Sequence, residues 1–154
     1  MDQEVKLLDF EFGRFRHALL DGVCGRIHFP TCWCVNRLPE DIYTRMEQVY
    51  RNELIKGGPE ARDDETFNQV IVEACAWQLL NTLSVGVLEE DGEWGISTHR
   101  QRALVRLDRF SEVAESNGHL EALRGMAKNL SDALRKRWPK EADEMPLYPA
   151  FRKQ

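Results

Sequence analysis

Between Pro39 and Pro139, apolar residues return at steps of three and four in four successive stretches, each closed by residues through which a helix does not continue. This punctuated period predicts four helices and leaves little of that span for a sheet. Pro39 fits the first helical position, where its missing N–H costs nothing, and Glu40 and Asp41 complement the positive helix end. Ile42, Met46, Val49 and Tyr50 supply the apolar face, and Gly57-Gly58 stops the helix. Asp63 or Asp64 caps the second helix, whose broad face of Phe67, Val70, Ile71, Ala74 and Trp77, extended by Leu80 and Leu83, predicts a central place in the core. After the polar break Glu89 to Gly95, Thr98 and Gln101 form a capping box for a third helix carrying Leu104, Leu107, Phe110 and Val113. Asn117-Gly118 ends it, and Leu120, Leu123, Ala127, Leu130 and Leu134 mark a fourth, which stops before Pro139. So short a connection makes the last two helices antiparallel.

The remainder is less regular. Val5, Leu7 and Leu8 suit one short N-terminal strand ending at Asp9. Residues 9 to 38 are aromatic and Gly-containing without a clean period, with a helical turn or two at Ala18 to Val23. Met145 to Pro149 reads as an extended tail docked through its apolar residues. The expected fold class is mainly α, in one domain: 154 residues suffice for one core, and 42% hydrophobic with 31% charged residues argues against bulk disorder.

A net charge of −5 argues against a nucleic-acid partner, since phosphate binding needs a concentrated basic excess. The basic residues from Arg124 to Lys140 are interleaved with Glu121, Asp132, Glu141, Asp143 and Glu144, as on a solvated helix face. No apolar run is long enough to span a membrane, and the acidic start lacks a secretory core, so a cytoplasmic location and reduced cysteines are expected.

The segment Val5-Lys6-Leu7-Leu8-Asp9-Phe10-Glu11-Phe12-Gly13 resembles the metal-binding element of the aminoglycoside phosphotransferase and choline kinase families, their counterpart of the Asp-Phe-Gly element of protein kinases. Those families need a hard oxygen ligand there, because Mg²⁺ must be held against the ATP phosphates. The resemblance implies that Asp9 is that ligand and that Glu11 helps with a second ion or a water. It also implies a structural role for Asp21, twelve positions after Asp9, which opens a bracing helix and accepts backbone N–H bonds. The fold implied is the helical C-terminal-lobe portion of a protein-kinase-like enzyme. Residues 1–38 would hold the metal-binding segment and an irregular region, 39–138 four helices, and 139–154 the docked tail. The cofactor implied is Mg²⁺ with ATP. The reaction implied is phosphoryl transfer to a hydroxyl on a small acceptor, which the acidic turn Glu89 to Glu93 would face if cationic. By itself that turn reads as a solvated loop.

The families' Gly-rich loop, strand Lys and His-Gly-Asp segment with its following Asn have no counterpart here, and eight residues precede Asp9. The expectation is a fragment or remnant of such an enzyme, inactive alone, self-associating through the Val5–Leu8 edge or completed by another chain. The alternative is a non-catalytic helical module that presents its last two helices to a protein partner. Cys24, His28, Cys32 and Cys34 offer zinc-type ligands, but the single residue between Cys32 and Cys34 is too tight for a structural zinc site, so packed thiols are the better expectation. Cys75 reads as core, and His17, His99 and His119 as surface or capping residues.

Overall fold

The computed structural model describes residues 17–28, 36–143 and 145–152. Five α-helices carry the described chain: α1 (Leu19–Gly22), α2 (Glu40–Gly57), α3 (Asp64–Thr82), α4 (His99–Asn117) and α5 (Glu121–Arg137). Single 3-10 turns follow α1, α2 and α3, and another lies at Pro149–Phe151. A two-residue hairpin, β1 (Glu93–Trp94) and β2 (Ser97–Thr98), precedes α4. The protein is thus mainly helical, and among the described residues no helix is long and apolar enough to cross a membrane. The strand expected at Val5 to Leu8 lies outside the described residues.

The α4–α5 pair follows its local code closely. Thr98 Oγ1 accepts from Gln101 N at 3.2 Å and Gln101 Oε1 accepts from Thr98 N at 3.0 Å, completing the capping box. Leu104, Leu107, Phe110 and Val113 are all essentially buried. Gly118 ends α4 at φ +61°, a conformation natural to glycine, and Leu120 opens α5 at φ +57°. Contacts join the end of α4 to the start of α5 (Glu115–Arg124) and middle to middle (Asp108–Ser131), so the helices run antiparallel. On α5 the buried residues are Ala127, Ser131 and Leu134, whereas Leu130 is exposed. Ser131 occupies that interior position because its hydroxyl donates to Asp108 Oδ1 at 2.7 Å, a group that Arg135 also clamps.

Helix α3 is the centre of the core, capped by Asp63, whose carboxylate accepts from Thr66 N at 2.8 Å. Phe67, Ile71 and Ala74 are buried as expected, but Trp77 and Leu80 face outward, and Val72, Cys75, Ala76, Gln78 and Leu79 are covered instead. The helix is apolar on most of its circumference, so periodicity identifies a buried helix without orienting it. The Cys75 thiol, fully enclosed, is pushed up to about 12, first by loss of solvation and then by the charge of Glu47.

Helix α2 departs further from expectation. Pro39 lies one residue before the helix rather than inside it, and Gly58 follows its last residue. Met46 and Val49 are exposed, while Tyr43 is buried. Tyr43 is held by polar neighbours: Leu38 N donates to its hydroxyl at 3.0 Å, and Arg26 and Arg109 lie over its ring at 5.8 and 4.8 Å. The tail docks as expected. Met145 is buried, and Leu147 forms a parallel bridge with Arg37, through Arg37 N to Pro146 O and Tyr148 N to Arg37 O, both at 2.9 Å.

Candidate functional site

Asp9 and Glu11 lie outside the described residues, as do Cys32 and Cys34. Asp21 falls at the third position of α1, exposed to solvent. This short helix is braced from two sides. Tyr50 on α2 donates its hydroxyl to Ala18 O at 2.7 Å, and Gln78 on α3 donates its amide to Leu20 O at 3.1 Å. Gly22 permits the approach, since a Cβ there would sit 2.6 Å from Tyr50 Cε1. Burial, followed by the nearby charge of Asp21, raises the Tyr50 pKa, which keeps that hydroxyl a donor. Leu19, Val23 and Ile27 then seal α1 and the turn after it into the core.

Beside this element lies a largely apolar cavity of about 510 Å³, between α1, α2 and α3, bordered by His17, Leu19, Tyr50, Leu54, Phe67 and Val70. Its volume suits a small organic molecule. His17 Nδ1 accepts from Leu19 N at 3.3 Å, which spends that nitrogen on starting the helix. The cavity lies where the first described stretch of chain begins, at His17.

A second, more polar cavity of about 380 Å³ lies between the end of α3, the acidic turn and the start of α4. Thr82, Ser84, Glu90, Asp91, His99 and Arg106 border it. Asp91 Oδ1 accepts from Gly92 N and Arg100 N at 3.0 and 3.1 Å, so one residue of the acidic turn has a structural duty, while Glu89, Glu90 and Glu93 are exposed. Arg106 is 7% exposed, and its guanidinium donates to the carbonyls of Thr82 and His28 at 3.3 and 3.5 Å. Loss of solvation, then the charge of Arg102 one turn earlier, lowers its pKa to about 10.

His28 is buried next to Arg106 and is held neutral, its pKa lowered to about 4 by burial and by Arg106, Arg109 and Arg102. Cys24 sits apart from it in role, its thiol directed to Leu20 O at 3.9 Å, and among the described residues no group of three metal-ligating side chains converges. His99 is exposed at the start of α4, and His119 meets Glu73 at 3.2 Å.

The buried arginines were not anticipated as site residues. Charged side chains on a helix are ordinarily assigned to its wet face. The available signal was positional: Arg106 shares the three- and four-residue steps of Ala103, Phe110 and Val113, so it occupies a core stripe. No protein-family model matches the chain, and no curated protein matches it either.

Proposed function

We propose that this chain is a portion of an ATP-dependent small-molecule phosphotransferase, carrying the Mg²⁺-binding carboxylate Asp9 with Glu11 beside it and the helical part of a kinase-like C-terminal lobe. The observation that carries the reading is the sequence pair of the apolar run into Asp9-Phe10-Glu11 and Asp21 twelve residues later. The short helix holding Asp21, clamped by Tyr50 and Gln78 beside a cavity of small-molecule size, supports it. Carboxylates suit a hard cation, so the donor types of Asp9 and Glu11 are right for Mg²⁺, which when bound would offset charge on the nucleotide phosphates. Asp9 would hold the ion, Glu11 would add a contact, and α1 with its two clamps would keep the following chain rigid. The groups that elsewhere cradle the phosphates and accept the acceptor proton are not among these residues. The reading is therefore of a contributor to phosphoryl transfer, inactive by itself.

Calorimetric titration with Mg²⁺–ATP tests this. Micromolar, Mg²⁺-dependent binding that is lost in Asp9→Ala and weakened in Glu11→Gln is the expected result. Binding indifferent to Asp9→Ala, or no binding at all, would sink it.

A second reading, a helical module that binds a protein partner, is favoured by one observation. Met126 and Leu130 stand one turn apart on α5 and are 68% and 39% exposed. Concentration-dependent self-association that is unchanged in Asp9→Ala and removed in Met126→Lys would favour it over the first.

A further inference from the structure

Five of the described arginines sit against carboxylates of the described chain. Arg26 meets Glu47 and Glu40, Arg51 meets Asp64, Arg109 meets Glu40 and Glu112, Arg124 meets Glu115 and Glu121, and Arg135 meets Asp108. Arg106 is more deeply buried than any of these, yet among the described residues it touches only two carbonyl oxygens, and its Nε has no hydrogen-bond partner there. Enclosed cations are ordinarily matched by a carboxylate, because removing a charge from water is otherwise uncompensated. Here the charge that acts on it is that of another cation, Arg102, and the adjacent imidazole of His28 is neutral. This guanidinium, which pairs with no carboxylate among the described residues, borders a cavity.

The same cavity carries negative charge as well. Glu90 is exposed and Asp91 keeps its Oδ1 on backbone N–H groups, and among the described residues neither is within ion-pair distance of Arg106. Charges of both signs therefore share one enclosure without neutralising each other. A bare anion would find its attraction to Arg106 opposed by the two carboxylates, and a bare cation the reverse. A molecule bearing both charges meets each with its complement. Ser84 at the rim adds a hydroxyl that suits a polar ligand of this size, whereas the Thr82 hydroxyl donates to Gln78 O at 2.7 Å.

We propose that the cavity between the end of α3, the acidic turn and the start of α4 binds a small zwitterion, its carboxylate or phosphate on Arg106 and its ammonium toward Glu90 and Asp91. This assignment is independent of nucleotide binding at Asp9, and either can fail without the other.

Thermal unfolding and calorimetry of the full chain with a probe panel decide it. The panel is glycine, serine and β-alanine as carboxylate zwitterions, phosphoethanolamine as the phosphate counterpart, and acetate, inorganic phosphate and methylammonium as single-charge controls. The expected result is that at least one zwitterion binds at least tenfold more tightly than the matching single-charge probe. The preferred series, carboxylate or phosphate, identifies the anionic group. Binding should be lost in Arg106→Gln and reduced in Glu90→Gln. Glu90 is exposed, so its variant keeps the fold and the test holds even where Arg106→Gln unfolds. Absence of binding by every zwitterion, equal binding of the single-charge controls, or affinity unchanged in Glu90→Gln would each overturn the proposal.

Discussion

The α4–α5 hairpin and the α1–α2 region solve the same problem, covering α3, by different means. The hairpin relies mostly on interactions that close within one turn, a capping box, a left-handed glycine and an apolar stripe at helical spacing, with Asp108 joining the two helices through Ser131 and Arg135. The α1–α2 region relies on partners far apart in sequence. Tyr50 reaches back to Ala18, Gln78 to Leu20, and Arg26 to Glu47, with Tyr43 packed between two guanidinium groups. Burial works against the Arg26 charge, but the hydrogen bonds and charge of Glu47 and Glu40 raise its pKa overall. The difference shows that a helix can be specified locally while its placement depends on polar contacts that only the assembled fold supplies.

The largest expected effect sharpens this contrast in the hairpin. Phe110 is fully buried in α4, so Phe110→Ala should cost about 3–5 kcal/mol by urea denaturation, whereas Val49→Ala, an exposed position on α2, should cost only a few tenths. Equal losses at the two sites would erase the distinction.

The second effect belongs to the long-range side. His28 is neutral in the folded protein down to about pH 4, whereas an exposed histidine takes its proton near 6.5. Its depressed pKa leaves stability untouched above 6.5 and removes it as pH falls from 6.5 toward 4, where the unfolded chain binds a proton that the folded chain refuses. The loss approaches about 3 kcal/mol at the lower end. Urea midpoints taken between pH 7 and 4.5 should show this slope, and His28→Asn should flatten it; an unchanged slope would count against the buried neutral imidazole.

Gly22→Ala comes next. The added Cβ pushes on the Tyr50 ring, which is tethered by its hydroxyl, so a cost of about 1–3 kcal/mol is expected. Hydrogen exchange should locate the loosening in α1 and leave α4 protected. The smallest effect is Thr98→Ala, about 1 kcal/mol from loss of the α4 cap, with faster exchange confined to the first turn of that helix. Loosening that spread to α1 would show the two regions to be one cooperative unit.

Much of the fold was legible because helix ends and stripes depend on neighbours three or four residues away. The capping box at Thr98, the stop at Gly118, the cap at Asp63 and the docked tail were all foreseeable. The outward turn of Trp77 and Leu80 was not, since an almost wholly apolar helix has no preferred face until neighbours pack on it. Nor was the β1–β2 hairpin, whose two-residue strands are too short for an alternating pattern, although Gly95 at φ +68° supplies the turn conformation it needs. Around the candidate site the helical turn at Ala18 to Val23 was legible, while the cavity at Arg106 was invisible because a charged residue on a helix is ordinarily assigned to solvent.

By itself the sequence determined that four helices lie between Pro39 and Pro139, and that Phe110 and Cys75 belong inside, because propensity, capping and periodicity act over a few residues. Only the tertiary structure decided that Tyr43 would be enclosed by arginines, that α1 would be clamped by Tyr50 and Gln78, and that Arg106 would border a cavity shared with Glu90 and Asp91. Whether a polar group tolerates burial depends on what arrives from the far side of the fold, and local patterns carry no record of that partner.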